Sequence, residues 1–386
     1  MKKKFDYIIC GAGLSGLIML NKILNEPIFD DKKILVIEKD LSHKKNKTWC
    51  FWEKKQTNWD NVAIKSWNNI IFKTSDFQKE VELEKYCYKM IKSKSLFTEI
   101  IKKVQNKNNF TIVEDDILEL TESNNDVYVK TKHNEYYGQT VFSSIFDINK
   151  IKDKIKLPLL LQHFKGWTIK TEDFFFNDKK ATIMDFSIEQ KNETRFFYVL
   201  PINKKEALIE FTLFSKNILE KEEYNQELKK YISSIGIKKY EVTTEESGII
   251  PMTCHSFENS NSKRIIKIGT AGGWTKPSSG YTFKFVEKNI DKLISLIKND
   301  KKIKRTKFKT RHWIYDLIFL DVLYHNNEMG KKLFGEMFSK NKTECIFKFL
   351  DNESSLFEDF KIFTSFPKSI FIKSLIKNLG KIISNY

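Results

Sequence analysis

The stretch "YIICGAGLSGLIML", residues 7–20, restricts the fold more than any other part of the chain. Tyr7 to Cys10 is a short apolar run that reads as a buried strand. Gly11, Gly13 and Gly16 follow with GxGxxG spacing, and an apolar helix-like run begins at Leu17. A second apolar run, "KILVIEKD", ends at Glu38, 22 residues after Gly16. Strand, glycine turn, helix, strand and closing acid are together the parts of a dinucleotide-binding unit. The first glycine makes the tight turn, the second lets the backbone near a pyrophosphate, and the third lets helix and strand pack closely. The helix N-terminus then faces the phosphates, and Glu38 can accept from ribose hydroxyls. A bare tight turn is the alternative; the strand context and the acid favour the nucleotide.

The 14 glycines of the 386 residues have one further concentration, "IGTAGGWTKPSSGYTF", residues 268–283. A strand ending at Ile268, a glycine loop and a helix from about Thr282 form another ligand-facing switch. Its glycines let backbone amides lie against a flat ring or phosphates, and Pro277 holds the loop's shape. A glycine-rich surface loop is the bland alternative. A nucleotide-binding first turn and a late glycine loop in one chain suggest a flavoprotein.

The organisation between these stretches predicts an α/β fold: an FAD/NAD(P)-binding Rossmann-type domain, an antiparallel-sheet substrate domain and a helical C-terminal region. "FTIVEDDILEL" and "VYVKTKHNEYYGQTVFSSIFD" read as strands. Residues 160–215 alternate strand-like runs with polar breaks, which suggests an antiparallel sheet. "EKEEYNQELKKYISSIG" reads as an amphipathic helix stopped by Gly236. The expected boundaries are 1–155 with 240–300 for the nucleotide-binding domain, 156–239 for the substrate domain and 301–386 for the helical region.

A net charge of +17 needs an outlet. Nucleic acid is not expected, since no helix-turn-helix, zinc or RNA-binding signature is present; an anionic membrane surface fits the charge. Five cysteines without a CxxC argue for a reducing compartment and against a structural metal. The apolar part of the start, "MKKKFDYIIC", is too short for a signal peptide, and no run reaches about 18 apolar residues, so no transmembrane helix is expected.

"GAGLSGL", "TWCFW", "QHFKGW", "MDF", "FFYVLP", "IEFT", "GIIPMT" and "IGTAGGWTKPSSGYTF" occur in the order seen in bacterial-type lycopene cyclases, which the chain resembles over roughly residues 5–290. The resemblance implies cyclisation of lycopene ends to β-ionone rings, giving γ- and then β-carotene. It implies reduced FAD as cofactor, with NAD(P)H as a possible reductant, in a reaction with no net electron transfer. The cofactor-binding residues it implies are Gly11, Gly13, Gly16 and Glu38 at the adenosine end, and Gly269, Gly272, Gly273, Lys276 and Gly280 at the flavin end. An FAD-dependent oxidoreductase or hydroxylase acting on another apolar substrate is the alternative function.

Such a cyclisation needs one acid, one base and exclusion of water. Glu210, in the apolar run "LIEFTLF", faces desolvation that would keep it protonated. That suits a general acid, and Glu210 falls on the family's acid; a solvent-facing strand glutamate is the alternative. The family commonly carries a second acid at the next position, where this chain has Phe211. Asp185 in "IMDF" is the expected partner, or else a hydrogen-bonding structural aspartate. Trp49, Phe51 and Trp52 suit a polyene tunnel, with core packing as the alternative. His163 and Trp167 of "QHFKGW" are placed with the substrate, although a lone histidine is often structural. His312 and His325 have no metal-ligand spacing, and Cys50 has no base signature.

At the end of the chain, a helix from about Lys368 would put Ile372, Leu375, Ile376, Leu379, Ile382 and Ile383 on one face and Lys373, Lys377 and Lys381 on another. Such a helix either lies on an anionic membrane or docks its apolar face on the protein's own core. The expected location is cytoplasmic, peripherally associated with the inner face of the cell membrane.

Overall fold

The opening apolar run forms β1 (Lys4–Cys10), the glycine turn leads into α1 (Leu14–Leu24), and the second run forms β2 (Ile34–Glu38). The structure is a computed structural model that describes residues 3–42, 46–55, 57–301 and 310–383. Beyond β2 lie β3 (Thr48–Lys54), β4 (Lys65–Trp67), β5 (Asn69–Lys73), β6 (Gln78–Glu82), β7 (Tyr86–Lys92) and α2 (Ser93–Val104). Four strands follow: β8 (Phe110–Glu114), β9 (Ile117–Glu122), β10 (Val127–Thr131) and β11 (Glu135–Ser143). The middle of the chain holds β12 (Leu160–Thr171), β13 (Lys180–Asp185), β14 (Thr194–Asn203), β15 (Glu206–Ser215), α3 (Lys221–Ser234), β16 (Tyr240–Met252) and β17 (Ile265–Lys267). Helices complete it: α4 (Phe283–Lys298), α5 (Arg311–His325), α6 (Gly330–Lys340), α7 (Thr343–Leu350), α8 (Leu356–Thr364) and α9 (Lys368–Ile383).

One sheet runs in the order β8-β2-β1-β11-β10-β9, with β17 on β11. Its centre is parallel, and Ile8, Ile9, Ile34, Leu35 and Ile37 are fully buried. Parallel strands covered on both faces need such continuous apolar runs. On one face α1 packs with α4 through Leu17, Ile18, Phe283, Val286 and Ile290, and α2 adds Leu96 and Ile100. The other face meets Val127, Val129 and Tyr136 of the β10–β11 hairpin.

The second sheet runs β16-β12-β15-β14-β13-β5-β6 and is antiparallel except at β13–β5. Two differences from the expected layout concern sheet membership. Residues 240–252 do not join the nucleotide-binding sheet; β16 pairs with β12 from Leu160↔Met252 to Thr171↔Tyr240. Its half-polar edge-strand pattern carried no sign of its partner. From the N-terminal segment, β5 and β6 also extend this sheet. Likewise "FTIVEDDILEL" is two strands, broken at Asp115. The Asp115 carboxylate accepts from Thr131 Oγ1 at 2.7 Å and Asn134 Nδ2 at 3.2 Å, which ties the break to the β10–β11 turn.

One face of the antiparallel sheet is covered by α3 through Tyr224, Leu228, Tyr231 and Ile232. The other faces the small β3-β7-β4 sheet and the C-terminal helices, in one cluster that includes Trp52, Trp67, Tyr88, Phe196, Leu320, Phe334 and Phe347. The beginning of the expected helical region, 302–309, and the last three residues, 384–386, lie outside the described residues.

Candidate functional site

The β1–α1 turn is built from backbone that tolerates no side chains at two of its three glycines. Gly11 has φ +97°, and a Cβ there would sit 2.4 Å from Ser144 Oγ. A Cβ on Gly16 would lie 1.9 Å from the Gly11 carbonyl oxygen, so turn and helix touch there. Gly13 differs, because a Cβ on it would meet no atom within 4 Å. It is the N-cap of α1, with no side-chain cap bond and no acid in the first turn. The open space at Gly13 thus lies beside the positive end of a helix whose first turn has no side-chain cap, the arrangement that takes an anion. At the same mouth, Glu38 accepts from the Ala12 N–H at 2.6 Å and the Asp40 N–H at 3.2 Å.

The late glycine loop packs onto this turn. Ile268 leads into a 3₁₀ turn, Gly269–Gly272, closed by Gly273 at φ +73°. Gly269 has φ +63°, and a Cβ on it would come 2.5 Å from Ser15 Oγ in the first turn of α1. The two glycine concentrations therefore meet in space. Gly280, at φ +72°, lies against Gln162 of β12. Lys276 departs from expectation. Its buried ammonium is 2.8 Å from Asp316 and donates to Asn352 Oδ1 at 2.6 Å, so it ties the loop to the C-terminal helices.

Beyond the loop, strand pairing assembles two carboxyls. Gly166 on β12 is opposite Glu210 on β15 and opposite Glu246 on β16. Cross-strand neighbours point to the same face, and a Cβ on Gly166 would lie 3.4 Å from Glu210 Cβ and 3.3 Å from Glu246 Cγ. Leu208 Cδ1 would be nearer still, at 2.9 Å, so the glycine is what lets the two acids and Leu208 close over β12. Burial raises the Glu210 carboxyl well above the ordinary carboxylate range, the Glu246 charge raises it further, and a 2.9 Å bond from Thr212 Oγ1 opposes both. Burial raises Glu246 as well. There the Thr48 hydroxyl, donating at 2.6 Å, and the Lys92 and Lys47 charges work in the other direction. Glu210 is thus the better proton holder and Glu246 the better charge holder.

Aromatic and thiol groups wall this pair. Tyr198 sits across from Glu210 in the strand register and is hydrogen-bonded to Tyr281, which belongs to the late glycine loop. Cys50 and Tyr88 also neighbour Glu210, and burial raises both. The "TWCFW" strand, β3, splits by alternation. Phe51 stacks on Phe283 at 3.7 Å, and Trp49 joins the same nucleotide-side cluster. Cys50 and Trp52 face the other way, with Trp52 edge-on to Tyr281 at 4.5 Å and donating to Asp351 Oδ2 at 2.8 Å. The aromatic triplet therefore does not line one wall.

Three expected residues lie on the opposite, α3-covered face of the sheet. Asp185 accepts from Tyr231 Oη at 2.8 Å and pairs with Lys73 at 3.4 Å. His163 is buried, with Nε2 2.6 Å from Ser215 Oγ and Nδ1 2.5 Å from Tyr224 Oη. Burial lowers its value to about 4, so it is neutral near pH 7. Trp167 packs in the same α3 cluster. All three occupy strand positions of the wrong parity to reach Glu210. Phe211, fully buried, stacks with Phe197 at 4.9 Å on that face too. A second acid at position 211 would have been buried away from the first. Glu246 was missed because the partner of β16 was not readable. The available signal was a glycine between bulky residues in "FKGWT", which marks a close approach on a strand.

Solved structures share this fold. A geranylgeranyl bacteriochlorophyll reductase-like protein from Thermoplasma acidophilum superposes with a TM-score of 0.64 at 11% identity, covering 99% of this chain and 100% of that one. A flavoprotein/dehydrogenase from Cytophaga hutchinsonii gives 0.62 at 12% identity, covering 98% and 100%. A variant of the halogenase PltM, solved in complex with FAD, gives 0.62 at 10% identity, covering 98% and 92%. At these identities the likeness is one of fold. Among curated proteins, a lycopene beta-cyclase of Pantoea ananas is 22% identical over 307 residues, 77% of this chain and 75% of that one. The family described as lycopene cyclase protein matches residues 6–375, nearly end to end, and the chain belongs to that family.

Proposed function

We propose that the protein is a lycopene β-cyclase that uses reduced FAD, closing the linear ends of lycopene to β-ionone rings through γ-carotene to β-carotene. The observation that carries the reading is the Glu210–Gly166–Glu246 constellation, joined through Tyr198 and Tyr281 to the glycine loop. It supplies one neutral carboxyl and one better ionised carboxyl on a single face, the division of labour that acid–base catalysis requires.

The residues present fit FAD. Gly13 leaves open space at an uncapped helix N-terminus, and Glu38 stands at the ribose position of such a unit. Gly11, Gly13, Gly16 and Glu38 would hold the adenosine end; Gly269, Gly272, Gly273 and Gly280 would border the flavin. When bound and reduced, FAD supplies negative charge beside a developing carbocation, and NAD(P)H is a candidate reductant. Glu210 donates its carboxyl proton to the terminal double bond, forming a C–H bond and a tertiary cation. The neighbouring double bond closes onto that cation to make the ring. Glu246 accepts the proton that leaves the adjacent ring carbon. Return of that proton from Glu246 to Glu210 restores both groups, so atoms and charge balance without net redox change. Cys50, Tyr88, Tyr198 and Tyr281 keep water from the cation. A linear carotenoid is stored in membrane, so the reading places the protein peripherally on the inner face of the cell membrane.

The test is anaerobic incubation of purified protein with lycopene vesicles and reduced FAD, with pigments separated by chromatography. β-Carotene should form without stoichiometric NAD(P)H loss. Consumption of NAD(P)H and oxygen with an unringed product would overturn the reading in favour of a flavin oxidoreductase or hydroxylase.

A further inference from the structure

The structure leaves five of the large aliphatic side chains of α9 facing away from the body of the protein. The buried residues of this helix are the small polar Ser374 and Asn378 together with Ile382, and the half-buried Ile370 and Phe371 pack beside them against the body of the protein. Ser374 Oγ donates to Asp321 Oδ2 of α5 at 2.9 Å and lies 3.2 Å from the Ile318 carbonyl. The other large aliphatic residues point out: Ile372 is 53% exposed, Leu375 37%, Ile376 62%, Leu379 43% and Ile383 67%. At 3.6 residues per turn these five fall on one strip. The preceding helix, α8, adds Leu356 at 69%, Phe357 at 67% and Phe360 at 64%. Of 15 exposed large hydrophobic residues among the described ones, eight therefore lie between 356 and 383. Scattered exposed apolar residues are normal; concentration of this kind marks an interaction surface.

Charge selects the partner. Lys361, Lys368, Lys373, Lys377 and Lys381 punctuate these helices, and no Asp or Glu follows Asp359 in the sequence. The α8 carboxylates are already engaged, Glu358 with Lys348 at 3.0 Å and Asp359 with Arg311 at 2.9 Å. What faces outward is aliphatic and aromatic surface with exposed ammonium groups at Lys361, Lys368 and Lys373. Protein partners of such a patch would carry acidic rims around an apolar groove; a bilayer of anionic lipid offers both features over its whole area.

We infer that α8 and α9 form the membrane-docking surface, with Leu356, Phe357, Phe360, Ile372, Leu375, Ile376, Leu379 and Ile383 entering the headgroup–acyl boundary of an anionic bilayer. The inference rests on the peripheral location proposed above and gives it an address. It is read without carotenoid or turnover, so its failure leaves the cyclisation reading standing.

The experiment is flotation of full-length protein with phosphatidylglycerol-containing and purely zwitterionic vesicles. Three proteins are compared: wild type, Ile372→Gln/Ile376→Gln, and Lys368→Glu/Lys373→Glu. All substituted positions are exposed, so melting temperature and flavin content should match wild type. Wild type should float with anionic vesicles only. The apolar pair should weaken binding more than tenfold, and reversal of the lysine charges should weaken it by at least about fivefold per position, less at high salt. Binding by either variant equal to wild type would overturn the inference. So would a wild-type dimer that the apolar pair converts to monomer, because a second copy would then cover the face.

Discussion

The three glycines of the first turn look alike in sequence and are not alike in space. Gly16→Ala drives a Cβ into the Gly11 carbonyl, 1.9 Å away, and should cost stability and flavin together. Gly13→Val enters open space, so the fold should keep its melting temperature while flavin content falls. Thermal melting and flavin absorbance on the same samples check this; equal flavin content in the Val variant would remove Gly13 from the cradle. The acids make a second residue-scale prediction. Glu210→Gln should lower cyclisation by about 10² to 10⁴ with flavin retained. Glu246→Gln removes a like charge that holds the Glu210 value up, so the alkaline fall in remaining activity should move to lower pH. The same shift has a sign in stability. A native carboxyl value above the unfolded one adds stability below the unfolded value, about 4.3, and loses it as pH rises through the native value. Glutamine does not titrate. The advantage of Glu210→Gln over wild type in melting should therefore grow from about pH 4 upward and level off above the native value. A difference flat from pH 4 to 9 would show that Glu210 is not desolvated.

At the scale of elements, what was legible followed local rules. The glycine turn, β1, β2, α3 with its stop at Gly236 (φ +95°) and the late loop all carry their signals within a few residues. Register is a long-range property, and the misplacements came from there. The sequence suggests Asp185 beside Glu210 and His163 and Trp167 beside the substrate, yet strand parity sends all three under α3. Glu246, 36 positions after Glu210, joins it only because β12 lies between β15 and β16. This gives a contrast to test. Asp185→Asn weakens the contacts to Lys73 and Tyr231 and should cost about 1–3 kcal/mol of stability. It should leave the pH profile of cyclisation where wild type has it. A profile moved as far as by Glu246→Gln would return Asp185 to the acid pair.

Across the whole molecule, the C-terminal helices are part of the fold as well as an outward face. Composition made a basic, aromatic-rich helical end legible, but which side of α9 meets the body depends on α5, to which nothing local points. Asp321 of α5 is buried, and α9 gives it Ser374 Oγ at 2.9 Å and Lys377 Nζ at 3.3 Å. His325 approaches the same carboxylate at 3.6 Å from its own helix. Further along, Phe371 stacks on Phe366 at 4.9 Å and meets Phe319 at 6.2 Å. Removal of everything after Pro367 would thus strip the α9 donors from a buried carboxylate and uncover an aromatic cluster. Loss of one partner of a buried charged group costs about 3–5 kcal/mol. The truncated protein should melt well below wild type, and adding Asp321→Asn to the truncation should recover part of the loss, because the orphaned charge is gone. In the full-length chain the same Asp321→Asn change should destabilise. Opposite signs in the two backgrounds, read by thermal or urea unfolding, are the expected result. The same sign in both would mean that α9 does not dock through Asp321, and the outward direction of its aliphatic strip would lose its structural basis.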